Sequence, residues 1–246
     1  MKRNWVKTQL FSGITLLLGA ASSLEAEPRT LTSTDGKTFT AEILAIRGDQ
    51  VVLSMGSKQY TLATSRFSEA DQTYFEEWKA EQAKNLIPKL DVDISSGKSN
   101  RLDTNDQFDD RKGSFQFSIK VTNDERNFDL EEAKGILAVI GENCEVRNNY
   151  SIMAKSNFPL AVKEGETIEW QGDKFSYRFD DSEPARWGHQ YYGYVFQVTN
   201  ASGKVIFTKT LPKKFEGEEE KILAFQKGTA FDNEMKNRGK ASIYAE

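Results

Sequence analysis

Hydrophobic and polar residues alternate in short segments between residues 27 and 67, which predicts a series of short β-strands. In "KTFTAEILAI", Phe39, Ala41 and Ile43 alternate with polar residues, the period of a strand with one buried face. "VVLSM" and "KQYTLAT" continue the series, and Asp35-Gly36 is a strong hairpin-turn signal. About four or five strands at such short spacing predict a small barrel or meander.

The pattern changes to that of a helix at Ser68, and the predicted helix occupies residues 68–87. Ser68 is placed as the N-cap, with Asp71 three residues later, where its carboxylate could bond back to the backbone N–H of the cap. Tyr74, Phe75 and Trp78 then share one side at helical spacing. Because a sheet this small holds little core of its own, we expect these aromatic rings to pack onto the barrel.

Alternation resumes in residues 88–212, which predicts an antiparallel β-sandwich of immunoglobulin-like architecture. "KLDVDI", "SFQFSIKV" and "KGILAVIGEN" are among at least seven such segments, and most are separated by Gly, Asn, Asp or Ser. The polar segment 95–113 between the first two is predicted to be a long loop. Residues 213–246 are predicted to form a short helix at "EGEEEKILAFQ" and a frayed tail from Lys236.

The first 26 residues differ from the rest of the chain and are predicted to be a signal peptide. They combine Lys2, Arg3 and Lys7 with an apolar core and a small residue, Ala26, before the cut. An uncleaved N-terminal anchor is the alternative. We therefore expect a secreted or periplasmic protein with no membrane span after removal of the signal.

Composition excludes several classes of function. The chain has 246 residues and a net charge of −4, which disfavours a nucleic-acid partner. Its single cysteine, Cys144, excludes an internal disulfide, and its single histidine, His189, leaves one candidate histidine base. No phosphate-binding or dinucleotide motif occurs. We therefore expect no cofactor, no metal site, no catalytic residue and no enzymatic activity.

One resemblance is specific. Arg29, "TSTDGKTFTAEI", "GDQVVL", "YTL" and "FSEADQTYFEEW" occur in the order found in the Sla-one homology domain. That family has an opening arginine, a D/S-G-K turn, and a closing L-S-x-x-D-Q-x-Y helix, where this chain has Phe67 in place of the leucine. The resemblance covers about residues 28–80 and extends to exported proteins of planctomycete and verrucomicrobial bacteria.

The resemblance implies an SH3-like barrel of the endocytic-adaptor type and a peptide or protein ligand. In the yeast adaptor such a domain binds Asn-Pro-Phe-x-Asp sorting peptides and links cargo to the cortical actin and clathrin machinery. The candidate peptide-binding residues here are Arg29, Lys58 and Tyr60. The alternative is that Arg29 has a structural role and bonds to acidic residues of the helix.

Two further segments have candidate chemistry. Trp187, Tyr191 and Tyr192 lie in the aromatic segment 187–196 and could form a carbohydrate or cell-envelope binding face. The competing interpretation is that Tyr192, Tyr194 and Phe196 alternate into the sandwich core while Trp187 anchors a loop. The acidic segment 103–110 lacks the glycine and glutamate of an EF-hand, so calcium binding there is expected only as an adventitious property of residues 106, 109 and 110.

Overall fold

The computed structural model describes residues 28–102 and 110–245 of the chain. The described part is mainly β, as predicted. Its helices are α1 (Glu69–Asn85) and α2 (Glu219–Ala224). Its strands are β1 (Arg29–Thr32), β2 (Thr38–Arg47), β3 (Gln50–Met55), β4 (Lys58–Ala63), β5 (Leu90–Leu102), β6 (Arg111–Asn123), β7 (Leu130–Asn143), β8 (Asn149–Val162), β9 (Thr167–Gln171), β10 (Phe175–Asp180), β11 (Trp187–Thr199), β12 (Val205–Leu211), β13 (Thr229–Asp232), β14 (Asn237–Lys240) and β15 (Tyr244–Ala245).

The N-terminal strands form one antiparallel sheet in the order β1-β2-β3-β4. The first hairpin turns at Gly36, whose φ of 80° favours glycine. After β4 the chain returns to β1: the N–H of Thr34 donates to the carbonyl of Arg66 at 2.9 Å, and Ser33 pairs with Phe67. This contact between the two ends of the sheet curls it into the small barrel.

Helix α1 covers the core of this barrel, as its aromatic spacing predicted. Phe75 is fully buried, and its ring meets that of Phe67 edge-on, with centroids 5.1 Å apart. The Phe67 ring in turn contacts Phe39 of β2. Trp78 and Tyr74 are partly buried against the same cluster. The helix therefore completes a hydrophobic core that the strands alone leave open.

The predicted bond from Asp71 back to the N–H of the cap is not formed. The N–H of Ser68 donates instead to the carbonyl of Thr32 at 2.9 Å. Oδ2 of Asp71 accepts hydrogen bonds from the Ser68 hydroxyl and from the N–H of Thr32, both at 2.8 Å. The buried carboxylate thus connects the first turn of α1 to strand β1, because the cap lies directly beside that strand.

The predicted sandwich consists of two antiparallel sheets. One contains β5, β6, β9, β10 and β15, and the other contains β7, β8, β11, β12, β13 and β14; the two join where a short part of β10 pairs with β11. Aromatic rings from the two sheets meet between them. The ring centres of Phe117 and Tyr194 are 5.5 Å apart, and Phe158 stacks on Trp170 with ring centres 4.1 Å apart. The main core of the protein lies between these sheets.

Two predictions about the second domain are wrong. The supposed loop 95–113 is mostly strand, because β5 continues to Leu102 and pairs with β6 along its whole length despite its polar composition. The predicted short helix is formed, as α2, but the chain from Lys236 is not a frayed tail, because it contains β14. Phe215, Ile222 of α2 and Phe231 of β13 cover the outer face of the second sheet, and β14 pairs with β13.

The end of helix α1 is held by the sandwich. The Asn200 side-chain nitrogen donates to the carbonyl of Ala83 at 2.8 Å, while its oxygen accepts the N–H of Lys204 at 2.9 Å. The Lys204 ammonium reaches the carbonyl of Asn85 at 3.1 Å. Carbonyls at the end of a helix have no partner within it, so these contacts both satisfy the helix and join the two domains.

Ion pairs add to this junction. Lys79 of α1 pairs with Glu131 at 2.9 Å. Arg47, at the end of β2, donates to the side chain of Asn127 at 2.6 Å and pairs with Glu164. Contacts from both the barrel and the helix therefore fix their position against the sandwich.

Replacing Asn200 by alanine is expected to lower the free energy of unfolding by about 1–2 kcal/mol, because main-chain groups of both domains lose their buried hydrogen-bond partner. Urea denaturation of the purified protein measures the change. Asn157→Ala, at an exposed asparagine, is the matched control and is expected to change stability by less than about 0.5 kcal/mol. Equal effects of the two substitutions would contradict the role of Asn200.

Candidate functional site

Strand β4 is an edge strand with an exposed surface. It pairs with β3 on one side and ends the strand order of the barrel, and residues Lys58, Gln59, Tyr60 and Thr61 are all exposed. In an antiparallel pair, every second residue of such a strand directs its N–H and C=O away from its partner. An extended peptide could therefore extend the sheet here by main-chain hydrogen bonding.

Lys58 and Tyr60, two of the candidate peptide-binding residues, lie together on this strand. Tyr60 is opposite Leu53 and Lys58 is opposite Met55, so both point to the core-facing side of the sheet. Tyr60 nevertheless stays 39% exposed, beside the partly buried Met55. The edge strand thus combines main-chain groups with an aromatic ring and a cation two residues apart.

Arg29, the third candidate, lies on β1 at the other end of the strand order. Its guanidinium lies over the ring of Tyr74, 3.6 Å from the ring centre, and its Nε is 3.9 Å from the Asp71 carboxylate. Both partners belong to α1. These contacts favour the structural alternative for Arg29 and give no reason to group it with Lys58 and Tyr60.

The aromatic segment of β11 does not form one exposed face. Tyr191 packs against the inner core beside Phe115, with ring centres 5.8 Å apart, and burial raises its pKa to about 12. Tyr192 packs on the opposite face of the sheet, where its ring centre is 5.4 Å from that of Tyr150. The Trp187 indole nitrogen donates to Asp110 at 3.3 Å. Tyr191 and Tyr192 therefore cannot stack together on a single sugar ring.

The competing interpretation of this segment is also only partly right. Tyr194 and Phe196 do belong to the inner core, but Tyr192 does not share their face. The register between β11 and β7 shifts between Tyr191 and Gly193. Gly193 is needed there, since a Cβ on it would overlap the carbonyl of Leu211. The bulge reverses the alternation that the sequence implied.

His189 and Cys144 are both buried. Burial raises the pKa of the Cys144 thiol to about 12, so it is not an activated nucleophile. His189 lines a cavity of about 370 Å³ at one end of the sandwich, together with Trp187, Arg238 and Lys240. Sequence reasoning did not associate Arg238 and Lys240 with His189, because they lie in the segment that it assigned to a frayed tail.

The stability of the protein is expected to fall on acidification through His189. Burial lowers the pKa of this imidazole below its ordinary value of 6.5, so below that pH the unfolded chain binds more protons than the folded one. The stabilisation is fully present above pH 6.5 and is lost as the pH falls toward the folded pKa, by at most about 1.4 kcal/mol per pH unit.

Urea denaturation at a series of pH values measures this effect. His189→Asn removes the titrating group, so the variant is expected to lose less stability than the parent protein between neutral and mildly acidic pH. Identical pH dependence of the two proteins would show that His189 contributes nothing.

The predicted acidic segment falls mainly outside the described residues, which exclude 103–109. Of the three acids considered for adventitious calcium, only Asp110 is described. Its carboxylate contacts Arg178 at 3.1 Å and Trp187. Within residues 28–102 and 110–245, no group of three or more His, Cys, Asp or Glu side chains could hold a metal ion.

A narrow cleft separates the barrel from the sandwich beside α1. It has a volume of about 180 Å³. Its lining combines charged and polar side chains with apolar ones, which include Leu44, Ile46, Trp78 and Phe128. Trp78 therefore lines this junction as well as packing on the barrel. None of the helices in the described segments is long and apolar enough to cross a membrane.

Two solved structures have a distant likeness to this chain. No family model matches the chain, and no curated protein matches it. A crystal structure from Akkermansia muciniphila is 16% identical, with a TM-score of 0.24, and the match covers 56% of this chain and 78% of that one. A target of the Northeast Structural Genomics Consortium is 10% identical, with a TM-score of 0.25, over 49% of this chain and 80% of that one.

Proposed function

We propose that this chain is an exported protein-binding module, not an enzyme, and that it recognises an extended peptide through the edge of strand β4. The observation that carries the proposal is the exposed surface of this edge strand, where Lys58 and Tyr60 lie side by side. The resemblance of residues 28–80 to the Sla-one homology domain adds a reason to expect an adaptor role.

The spacing of the two side chains favours one class of ligand. Lys58 and Tyr60 are two residues apart, so they project from the same face of β4. In an extended Asn-Pro-Phe-x-Asp peptide, the phenylalanine and the aspartate are also two residues apart and share a face. A peptide added to the edge of β4 could place its aromatic ring against Tyr60 and its carboxylate beside the Lys58 ammonium.

A titration of the isotopically labelled protein with an Asn-Pro-Phe-x-Asp peptide tests this proposal. We expect NMR shift changes concentrated in β4, and weaker binding of a peptide with alanine in place of its phenylalanine and aspartate. Lys58→Glu and Tyr60→Ser are each expected to weaken binding roughly tenfold.

Lys37→Glu is the matched control, since Lys37 is an exposed lysine in the turn between β1 and β2 of the same sheet. It is expected to bind the peptide as the parent protein does. If shift changes fall outside β4, or if all three variants bind alike, the proposed site is wrong.

The proposal of export is tested separately. Expression in a bacterial host followed by fractionation is expected to place the protein outside the cytoplasm, with an N-terminus close to Glu27. A cytoplasmic product that retains Met1 would contradict export without affecting the peptide site.

A further inference from the structure

Strand β5 forms a long, regular edge of the sandwich. It ends the strand order of its sheet, and its 13 residues pair with β6 without a register shift. No strand in the described part of the chain pairs with its other side. Natural edge strands are usually short, bulged, interrupted by proline or covered, whereas β5 has neither a bulge nor a proline. Such an edge can accept a further strand.

Two hydrogen bonds establish which main-chain groups of β5 point away from β6. The ammonium of Lys209, on β12 of the other sheet, donates to the carbonyl of Val92 at 2.9 Å. On β6, the carbonyl of Phe117 accepts the N–H of Gly172 at 2.9 Å, on the side opposite β5. Main-chain groups of every second residue point to the same side of an antiparallel strand. The outward groups therefore also include those of Ile94, Ser96, Lys98 and Asn100.

The charges of β5 are divided between its two halves. Asp91 and Asp93 lie in the first half, and Lys98 and Arg101 lie in the second. Asp93 and Arg101 are exposed, and neither has an ion-pair partner within residues 28–102 and 110–245. Arg101 instead lies opposite another cation, Lys112 of β6. An antiparallel strand with the same sequence would place acids opposite cations along this edge.

The charge of Lys98 does not obstruct the edge. Inward-pointing charges are one means by which natural edge strands avoid pairing. Here the Lys98 ammonium lies over the ring of Tyr191, 4.8 Å from the ring centre. Tyr191 belongs to β11 of the facing sheet, so the charge is directed across the sandwich and not past the edge of β5.

We propose that two copies of this chain pair antiparallel through their β5 edges, about a two-fold axis at Gly97. In this register the outward main-chain groups of Ile94 meet those of Asn100 in the second copy, and Ser96 meets Lys98. Val92, whose carbonyl already binds Lys209, lies outside the paired segment 93–101.

The side chains fix this register. Asp93 of each copy lies opposite Arg101 of the other, on the solvent-facing side of the joined sheet. A parallel arrangement would place like charges opposite each other, so the pattern favours a two-fold dimer of this chain. The dimer does not depend on peptide binding. Its presentation of two β4 edges to one bivalent partner is a consequence that rests on the proposed function.

Sedimentation equilibrium of the purified protein tests the dimer. We expect mainly dimer at about 100 μM. Arg101→Asp and Asp93→Arg are each expected to weaken association about tenfold, because each places like charges opposite each other twice per dimer. The double variant exchanges the two charges and is expected to restore association.

Arg147→Asp is the matched control, since Arg147 is an exposed arginine in the β7–β8 turn of the same domain, and it is expected to associate as the parent protein does. A parent protein that stays monomeric at about 100 μM overturns the proposal. Unchanged association in both single variants, or no recovery in the double variant, does so as well.

A cysteine at the axis tests the register independently. A Cβ on Gly97 has room, since its nearest contact is the carbonyl of Gln116 at 3.7 Å. Opposed residues of this kind have Cα atoms about 4.5 Å apart, within the range of a disulfide. Oxidation of Gly97→Cys by copper–phenanthroline is expected to give a covalent dimer, because the native Cys144 is buried. Asn157→Cys, at an exposed position on β8, is the control, and equal cross-linking of the two variants would contradict the register.

Discussion

Phe75→Ala is expected to lower the free energy of opening of the barrel by about 3–5 kcal/mol, the usual cost of removing a buried phenylalanine. Phe75 is fully buried and contacts Phe67, which lies where the chain returns from β4 to β1. The substitution therefore leaves a cavity at the point that joins helix and sheet. Because domain stabilities are typically only about 5–15 kcal/mol, the barrel should be open for an appreciable fraction of the time.

Hydrogen exchange of the backbone amides of β2 and β3 in the full chain measures this effect. These amides are expected to exchange much faster in the variant, while those of β7 and β8 in the sandwich change less. Glu77→Ala, on the exposed face of α1, is the control and should leave exchange in β2 and β3 unchanged. Equal protection in the Phe75 variant and the parent would show that the helix is not needed for the barrel core.

Asp71→Ala is expected to cost about 2–3 kcal/mol, because it removes two hydrogen bonds and leaves a main-chain donor without its partner. The carboxylate accepts from the N–H of Thr32 and from the hydroxyl of Ser68. It also lies 3.9 Å from Arg29, whose guanidinium is partly exposed, so this ion pair contributes little. The loss should therefore come mainly from the two hydrogen bonds.

Asp71→Asn separates these contributions. The amide keeps an acceptor oxygen for Thr32 but loses the charge, so it is expected to cost less than half as much as the alanine substitution. Hydrogen exchange in β1 and in the first turn of α1 measures both variants. An alanine variant within about 0.5 kcal/mol of the parent protein would contradict the proposed link between helix and strand.

The barrel and its helix could be predicted from sequence because their signals are local. Alternation marks the strands, Asp35-Gly36 fixes the first turn, and Ser68 begins the helix one residue before Glu69. The partner of Asp71 could not be predicted in the same way. It depends on β1 lying beside the cap, a contact between residues 39 positions apart.

The errors in the second domain have a common cause. Strand β5 is polar because it lies at an edge of its sheet, where main-chain pairing with β6 holds it without a continuous apolar face. The strands β13 and β14 were missed for a similar reason, since they are short and β14 is exposed. The amino-acid composition of a segment indicates whether it is buried, whereas these strands are held by main-chain hydrogen bonds to their neighbours.

The candidate sites differ in the same way: residues close together in the sequence could be named, and residues brought together by strand pairing could not. Lys58 and Tyr60 could be named because they lie two residues apart on one predicted strand. The cavity beside His189 could not be predicted, because Arg238 and Lys240 reach it only through the pairing of β13 with β8 and of β14 with β13. Similarly, the bulge at Gly193 separates Tyr192 from Tyr194, and no local pattern in the sequence indicates it.

Hydrogen exchange of the unmodified protein tests most directly whether helix α1 and the curled sheet form one cooperative unit. We expect the amides around Phe75 to open with the same free energy as those of β2 and β3, to within about 1 kcal/mol. Exchange in α1 that is several orders of magnitude faster, with β2 and β3 still protected, would show that the sheet is stable without its helix.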